Sequence, residues 1–265
     1  MNKLFSVIIS FTLVVFVNTK AKCDHLILNG DTSYIEFSQS PLEKYPFIEA
    51  LRPQLATFHA TCYDCGCFKY DAEWSVINNE LYLTNIYGCP NSNEHLKADI
   101  NTLFNVRDGK VKAGWVNDGL WMPKGKPVGV VSVDIFYQAE LYVLIVNGKV
   151  EQIKEFNYPD SRETIYARNE KACNEFIYSN INWAKIPDLG EQVKRVNISC
   201  ETGASGKPEN IKVAQSTNET LYNDEAVRVI GLLPWSILYS RGKIYKQPWA
   251  LRVIFSEENR KKYAR

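Results

Sequence analysis

Alternation of apolar and polar residues in the last third of the chain limits most strictly what it can fold into. The residues from Val193 to Cys200 alternate, and so do those from Trp249 to Phe255. Side chains of a strand point to opposite faces in turn, so a period of two predicts half-buried strands. Gly203–Gly206 supplies a turn after the first of these segments, and Ile211–Ala214 is expected to return as a neighbouring strand.

A helix is predicted between the second and third of these strands. Asn223 or Asp224 is a suitable N-cap, and Pro234 ends the segment because proline cannot continue a helix. Apolar residues recur at helical spacing within it: Ala226, Val227, Val229, Ile230 and Leu233. Upstream, Arg162–Tyr178 is a further predicted helix, and Asn182–Pro187 is predicted to be extended because the residue before a proline avoids the helical region.

Composition and charge exclude several classes of protein. The chain has 265 residues, of which 45% are hydrophobic and 12% aromatic, and this apolar content excludes intrinsic disorder. A formal net charge of +1, without any basic run, provides no attraction for nucleic acid. We therefore expect one large or two modest folded domains that do not bind nucleic acid.

The N-terminus has the features of a secretory signal peptide. Lys3 provides a positive charge, the mostly apolar stretch Leu4–Val17 follows, and Thr19 and Ala21 are the small residues that a signal peptidase reads. The 14 residues of this stretch are fewer than the roughly 20 that a bilayer span needs. We predict a cleaved signal at residues 1–21; the alternative is an uncleaved segment that anchors the protein in a membrane.

Charge divides the rest of the chain. Residues 22–160 carry a net charge of −6, and residues 161–265 carry +5. The change falls at the turn-rich segment Asn157–Ser161. We predict two domains, at residues 22–158 and 159–265.

The first of these domains contains short apolar segments separated by turn residues. Trp74–Ile77 and Leu81–Ile86 flank Asn78-Asn79, whose residues tolerate the left-handed backbone of a hairpin turn. Further elements are predicted as strands at Val111–Trp115, Val128–Phe136 and Glu140–Val146, a helix at Glu94–Phe104 and a hairpin turn at Asn147-Gly148. The first domain is expected to be β-rich and antiparallel, which makes the whole chain α+β.

Seven cysteines offer covalent or metal chemistry. In an exported protein they are disulfide candidates first, and their odd number leaves at least one unpaired. The densest group is the cysteine cluster Cys62, Cys65 and Cys67, with Cys89 further on, and a bridge from Cys65 or Cys67 to Cys89 is the favoured pairing. Alternatively, His59 and these thiolates provide ligands that zinc accepts, although structural zinc sites use two separated pairs. A Cys62–Cys65 redox pair is the third interpretation.

Other catalytic motifs are absent from the sequence. It contains no Gly-x-Ser-x-Gly, P-loop, dinucleotide-binding or His-Glu-x-x-His motif. Its three histidines are too few to define a general base without geometry. We predict a non-catalytic protein without a cofactor; the alternative is a thiol redox or metal-dependent enzyme centred on the cysteine cluster.

Residues 180–258 contain a series of short motifs in a recognisable order and spacing: Val196–Ser199, Gly203, Gly206, Asn210–Ser216, Asp224–Ile230, Leu233-Pro234-Trp235, Gly242 and the strand ending at Phe255. In this order and spacing they resemble the TonB C-terminal domain. The resemblance implies a β-β-α-β module, and in that family the domain adds a receptor's short TonB box to its sheet as a strand. The binding strand that the resemblance implies is Trp249, Ala250, Leu251, Arg252 and Val253, with Trp249, Leu251 and Val253 facing the core.

The sequence departs from the family's energy transducers in three ways. Its N-terminal apolar segment is short and free of histidine, it has no proline-rich spacer, and residues 22–160 look folded where the spacer would be. Energy transduction is therefore not expected. The resemblance implies an exported protein of the Gram-negative periplasm or cell envelope that binds an envelope protein, with an outer-membrane receptor segment and TonB-dependent transport as the family's precedent.

The first domain resembles an uncharacterised exported bacterial family. This resemblance rests on the Trp74–Ile86 hairpin and on the Trp115–Pro123 segment. It implies a shape and no activity.

Overall fold

The computed structural model describes residues 24–36, 38–56, 70–88, 97–132 and 134–264. The described chain is a mixed α+β protein with more strand than helix. No helix within these ranges is long and apolar enough to cross a membrane. The buried apolar residues form two clusters, one drawn from residues 26–150 and the other from residues 173–255.

Strands dominate the first part of the described chain. Its elements are β1 (His25–Leu28), β2 (Asp31–Tyr34), α1 (Ile48–Ala56), β3 (Tyr70–Ile77), β4 (Glu80–Gly88), α2 (Ile100–Phe104), β5 (Val111–Lys112), β6 (Asp118–Val131), β7 (Asp134–Val146) and β8 (Lys149–Asn157).

These strands form one sheet in the order β2-β1-β3-β4-β8-β7-β6, with β5 paired to β4. Every pairing is antiparallel except that of β1 with β3, so the prediction of an antiparallel domain is wrong for this pair. Parallel neighbours need a long crossover connection, and the chain between β2 and β3, which includes α1, provides one.

The two ends of this sheet approach each other. The backbone N–H of Glu36, just after β2, donates to the C=O of Trp121 in β6 at 2.8 Å. The Gln39 side chain also bonds to the C=O of Gly119 at 2.7 Å and to the N–H of Trp121 at 2.8 Å. The sheet therefore curls around the first apolar cluster. The largest fully buried side chains of this cluster are Trp74, Leu26, Ile35, Leu42, Leu81, Leu83, Ile86, Leu120, Met122 and Ile145.

Asp24 is a buried carboxylate within this core. It accepts hydrogen bonds from Ser40 Oγ at 2.9 Å, from Trp74 Nε1 at 3.2 Å and from the backbone N–H of Ala72 at 3.0 Å. Burial raises the pKa of Asp24 to about 6, although all three hydrogen bonds oppose the rise. The start of β1 is thereby tied to β3.

Both predicted Asn-containing hairpin turns are confirmed. Asn78 and Asn79 join β3 to β4 with φ values of 50° and 65°, and Asn147 and Gly148 join β7 to β8 with φ values of 49° and 73°. A Cβ at Gly148 would lie 2.6 Å from the backbone oxygen of Ala113. Glycine is required there by both its backbone angle and this close approach.

Several predicted elements of the first part end at other residues. The strand predicted at Val128–Phe136 is interrupted at Ser132, where φ is 56°, and its two halves belong to β6 and β7. Of the strand predicted at Val111–Trp115, only Val111 and Lys112 form a strand, β5. Within the described part of the helix predicted at Glu94–Phe104, the helix begins at Ile100. The sequence does not predict β8, because most of its side chains are exposed on both faces and do not alternate.

The second part contains three longer strands and three helices among the described residues. Its elements are α3 (Glu170–Ser179), β9 (Lys194–Glu201), β10 (Glu209–Gln215), α4 (Thr220–Gly231), β11 (Tyr239–Ser240), β12 (Lys243–Ile244), β13 (Pro248–Phe255) and α5 (Glu257–Tyr263).

An antiparallel sheet in the order β10-β9-β13 organises this part, which confirms the two strands predicted from alternation and the returning strand predicted at Ile211–Ala214. The helix α4 packs on β9 and β10. Its buried residues are Tyr222, Glu225, Ala226, Val229 and Ile230. The predicted cap at Asn223 or Asp224 is wrong: the helix begins one turn earlier, with Glu219 at the N-cap position.

The helix predicted at Arg162–Tyr178 begins later than expected. Arg162 instead exchanges two backbone hydrogen bonds with Ile237, at 2.8 and 2.9 Å. The Asn169 side chain then caps α3 by accepting from the N–H of Ala172 at 3.0 Å. The pairing of Arg162 with Ile237, a residue far along the chain, therefore replaces the start of the helix that local periodicity predicts.

The prediction of an extended segment at Asn182–Pro187 is right only at its end. Ile186, the residue before the proline, has extended backbone angles, but a 3₁₀ turn covers Trp183–Lys185. The buried Trp183 indole donates to the C=O of Tyr178 at 3.0 Å, and this contact with the end of α3 favours the turn over an extended chain.

Candidate partner-binding edge

The strand β13 lies at one edge of the sheet β10-β9-β13. It pairs with β9 in unbroken register, and all five predicted binding residues, Trp249 to Val253, belong to it. Val253 is buried, and Trp249 and Leu251 are half-buried against the second apolar cluster, as expected for the core face. Ala250 and Arg252 are exposed on the opposite face.

Ile254 shows which backbone groups of β13 face outward. Its C=O accepts from Asn259 Nδ2 at 2.9 Å, and its N–H faces the Tyr178 hydroxyl. Both groups therefore point away from β9. Because Tyr178 belongs to α3 and Asn259 to α5, these two helices close this end of the edge.

The rest of the edge follows from the alternation of an antiparallel ladder. Residues bonded to the partner strand alternate with residues whose N–H and C=O point the other way. Ala250 and Arg252 share the orientation of Ile254, because the register with β9 has no bulge. At the start of the strand, the C=O of Gln247 accepts from the N–H of Thr202 at 3.1 Å, which fits the same alternation. In the part of the chain that the structure describes, no strand pairs with the outward side of Ala250 and Arg252.

A row of hydrogen bonds crosses the exposed face of this sheet. Arg252 Nε on β13 donates to Asn197 Oδ1 on β9 at 2.9 Å, and Asn197 Nδ2 donates to Gln215 Oε1 on β10 at 2.6 Å. Arg195 and Lys212 are exposed on the same face, according to the register of the three strands. The middle of the face is therefore polar and basic.

A small cavity lies at the Trp249 end of the edge. Its volume is about 120 Å³, and it is lined by residues of the β6–β7 hairpin, of the segment before α3 and of the β13 region. Glu163 and Arg168 form an ion pair at 2.6 Å within this lining. The indole N–H of Trp249 is buried and has no partner among the described residues. Sequence reasoning does not find this cavity, because its residues come from segments far apart in the chain.

The cysteine cluster Cys62, Cys65 and Cys67 lies outside the described residues, as do His59 and Cys89. The predicted disulfides, the zinc alternative and the redox pair therefore all stay predictions. Across the described ranges, no group of three or more His, Cys, Asp and Glu side chains is placed to hold a metal ion.

A polar cluster around Glu73 is a second feature that the sequence does not reveal. The carboxylate accepts from Thr84 Oγ1 at 2.8 Å, from Tyr87 Oη and His25 Nε2 at 3.2 Å each, and from Asn85 Nδ2. Burial raises the pKa of Glu73, but the hydrogen bonds from Thr84, Asn85 and His25 outweigh it and hold the pKa below its usual value. The Glu73 carboxylate on β3 accepts from four donors on β1 and β4, and these bonds hold the three strands together. We therefore assign this cluster a structural role.

Comparison with protein-family models, with curated proteins and with solved structures finds no match to this chain. None of these comparisons identifies a TonB C-terminal domain in it.

Proposed function

We propose that this is an exported, non-catalytic protein that binds an extended segment of an envelope protein along the outer edge of β13. The observation that carries the proposal is the outward direction of the N–H and C=O groups of Ala250 and Arg252. An edge strand with unpaired backbone groups is a template for another strand.

The length of the edge sets how the partner is recognised. The open part runs from Pro248 to Arg252, since Tyr178 and Asn259 occupy the groups of Ile254. Each backbone hydrogen bond contributes only about 1 kcal/mol net, so the few bonds available here do not repay the cost of association alone. Side chains of the partner must supply the rest of the affinity.

Two surfaces are available to those side chains. On the core face, the half-buried Trp249 and Leu251 offer apolar contact. On the other face, Arg252 on β13 and Arg195 on the neighbouring β9 favour polar or acidic side chains. The proposed partner segment is therefore extended and amphipathic, apolar on one face and acidic on the other.

The resemblance of residues 180–258 to the TonB C-terminal domain supports the same mode of binding. The strand order β10-β9-β13 leaves β13 at an edge, as strand addition requires. A link to TonB-dependent transport is part of the proposal, whereas energy transduction is not, because the sequence lacks the transducers' proline-rich spacer.

Site-specific photo-cross-linking in intact envelopes tests the proposal. A photoreactive residue replaces Ala250 at the proposed edge in one chain and the exposed Lys212 on the opposite edge strand, β10, in another. We expect a discrete cross-linked partner from position 250 and not from position 212. The same products from both positions, or none from position 250 in a folded chain, would contradict the proposal.

A further inference from the structure

The cavity beside Trp249 has a hydrogen-bond donor in its lining that no described residue satisfies. The Trp249 indole packs edge-on against the buried ring of Trp235, with ring centroids 5.0 Å apart and planes at 85°. Trp249 lines the cavity, and its indole N–H is covered from solvent. Leaving a covered donor without an acceptor is costly, so a group that brings an acceptor to it is bound with more than the average gain of a hydrogen bond.

Glu163 provides an acceptor in the same lining. Its Oε1 accepts from Arg168 Nε at 2.6 Å and from the N–H of Val130 at 3.5 Å, whereas its Oε2 accepts from no described residue. Glu163 and Arg168 are the charged residues of the described lining, and they pair with each other. The described lining therefore has no net charge, so it favours a neutral group that both accepts and donates over an ion.

The walls of the cavity are held by hydrogen bonds of their own. The Thr202 hydroxyl donates to the C=O of Tyr245 at 2.7 Å and accepts from the N–H of Gln247 at 2.9 Å. The Ser236 hydroxyl accepts from the N–H of Thr164 at 3.0 Å. Thr202 and Ser236 are both buried. Walls that are fixed in advance reduce the entropy lost when a group binds between them.

The size of the cavity selects a small group. A water molecule occupies about 30 Å³ of the liquid, so a volume of about 120 Å³ suits a group of about four non-hydrogen atoms. The side chain of asparagine, or the end of a glutamine side chain, has this size and ends in a carboxamide with one C=O and one NH₂. Arg168 is 48% exposed, which leaves the cavity accessible from solvent on that side.

We propose that this cavity binds a primary carboxamide, whose C=O accepts from the Trp249 indole and whose NH₂ donates to Glu163 Oε2. The carboxamide belongs to an asparagine or glutamine of the partner segment, and this assignment rests on the function proposed above. A residue placed beside Trp249 on an added strand has its side chain on the same face of the sheet as Trp249. That side chain therefore lies on the face where Trp249 lines the cavity, and the cavity specifies one residue of the segment.

The indole resonances of the folded full chain test the chemistry of the cavity. A chain that is isotope-labelled at its six tryptophans gives indole N–H signals, and loss of one signal in Trp249→Phe identifies Trp249. The probes are acetamide, acetone and acetate, which have nearly the same shape but differ in donors and charge. We expect acetamide to shift the Trp249 signal saturably, while the signals of Trp74 and Trp121 in the first part stay in place.

The order of the three affinities is the decisive result. Acetone cannot donate to Glu163, and acetate is repelled by it, so acetamide should bind about tenfold more tightly than either. No saturable shift of the Trp249 signal, or equal affinities for the three probes, would overturn the proposal. Tighter binding of acetate than of acetamide would overturn it as well.

Glu163→Gln is the matched variant, because it keeps an oxygen at this position but removes the charge. Acetate should bind to this variant about as tightly as acetamide does. Trp121→Phe is the control: it removes an indole outside the cavity and should leave the affinity for acetamide unchanged. Circular dichroism shows that each variant is folded, and an unchanged preference for acetamide over acetate in a folded Glu163→Gln chain would contradict the role of Glu163.

Cross-linking tests the assignment to the partner. The segment captured from position 250 should carry asparagine or glutamine beside Trp249, and leucine in its place should lower the capture about tenfold. A captured segment without either residue would overturn the assignment to the partner. Capture without any response to acetamide would overturn the chemistry of the cavity and leave strand addition intact. The probe experiment needs no partner, so a failure of this inference is distinguishable from a failure of the proposed function.

Discussion

Tyr158 stacks face to face on Tyr239, with ring centroids 4.7 Å apart and planes 5° from parallel. The Tyr158 hydroxyl also donates to the Glu140 carboxylate and accepts from the backbone N–H of Gly242 at 2.9 Å. Burial, followed by the bond to Glu140, raises the pKa of Tyr158, so the hydroxyl stays protonated at neutral pH and remains a donor. One side chain thereby joins the first sheet to the β11–β12 ribbon.

We expect Tyr158→Phe to lower the free energy of unfolding by about 2 kcal/mol, because the ring stays but its bond to a carboxylate is lost. Urea denaturation followed by circular dichroism measures this change. Tyr239→Phe is the matched control: it keeps the stacking and removes a hydroxyl that makes no hydrogen bond in the described structure. The control should change stability by less than about 0.5 kcal/mol. Equal effects of the two substitutions would contradict this assignment.

Asp24 should make the protein less stable as the pH rises from 4 to 7. Burial raises its pKa from 3.8 to about 6, so the folded state binds the proton more tightly than the unfolded state between these values. That contribution to stability is present below the unfolded pKa and lost as the pH rises through the folded pKa. The shift corresponds to about 3 kcal/mol.

The comparison with Asp24→Asn isolates this effect. The variant has no titrating group at position 24, so its free energy of unfolding should fall by about 2.4 kcal/mol less than that of the native chain between pH 4 and pH 7. Urea midpoints at four or five pH values in this interval provide the measurement. Parallel pH profiles would show that Asp24 does not titrate as its burial requires.

Gly148 should tolerate substitution much less than another glycine with positive φ. Gly148→Ala places a Cβ 2.6 Å from the backbone oxygen of Ala113 and keeps φ at 73°. We expect a loss of about 3 kcal/mol, because backbone on both sides must move. Gly109→Ala is the control, since φ there is 65° but nothing lies within 4 Å of the added atom. It should cost about 1 kcal/mol by thermal or urea denaturation, and similar losses at both sites would contradict the role of the close contact.

Proline at successive positions of β13 should separate binding from stability. The N–H of Ala250 faces outward, so Ala250→Pro leaves the ladder with β9 intact but removes a donor from the proposed binding edge. Leu251→Pro removes an N–H that bonds to β9, and we expect it to lower the free energy of unfolding by about 2 kcal/mol or more.

The Ala250→Pro chain should therefore keep a near-native urea midpoint. With the photoreactive residue placed at position 252, the same chain should no longer cross-link to the partner. Circular dichroism of both variants confirms which of them folds. Undiminished capture by a folded Ala250→Pro chain would count against strand addition at this edge.

Local patterns in the sequence predict much of the secondary structure. The alternation at Val193–Cys200 and Trp249–Phe255 predicts β9 and β13, because each strand has one face in the core and one in solvent. Asn78-Asn79 predicts its hairpin turn for the equally local reason that asparagine tolerates positive φ. These features depend only on residues close together in the chain.

The arrangement of those elements depends on contacts between residues far apart in the chain. The parallel pairing of β1 with β3, the bridge between Arg162 and Ile237, and the cavity beside Trp249 have no local signal. The outward direction of the backbone at Ala250 and Arg252 follows from the register with β9, from the bond between Asn259 and Ile254 and from the bond between Thr202 and Gln247. Periodicity determines which face of a strand is buried, whereas its neighbours in the sheet and the helices packed on it decide which edge stays open.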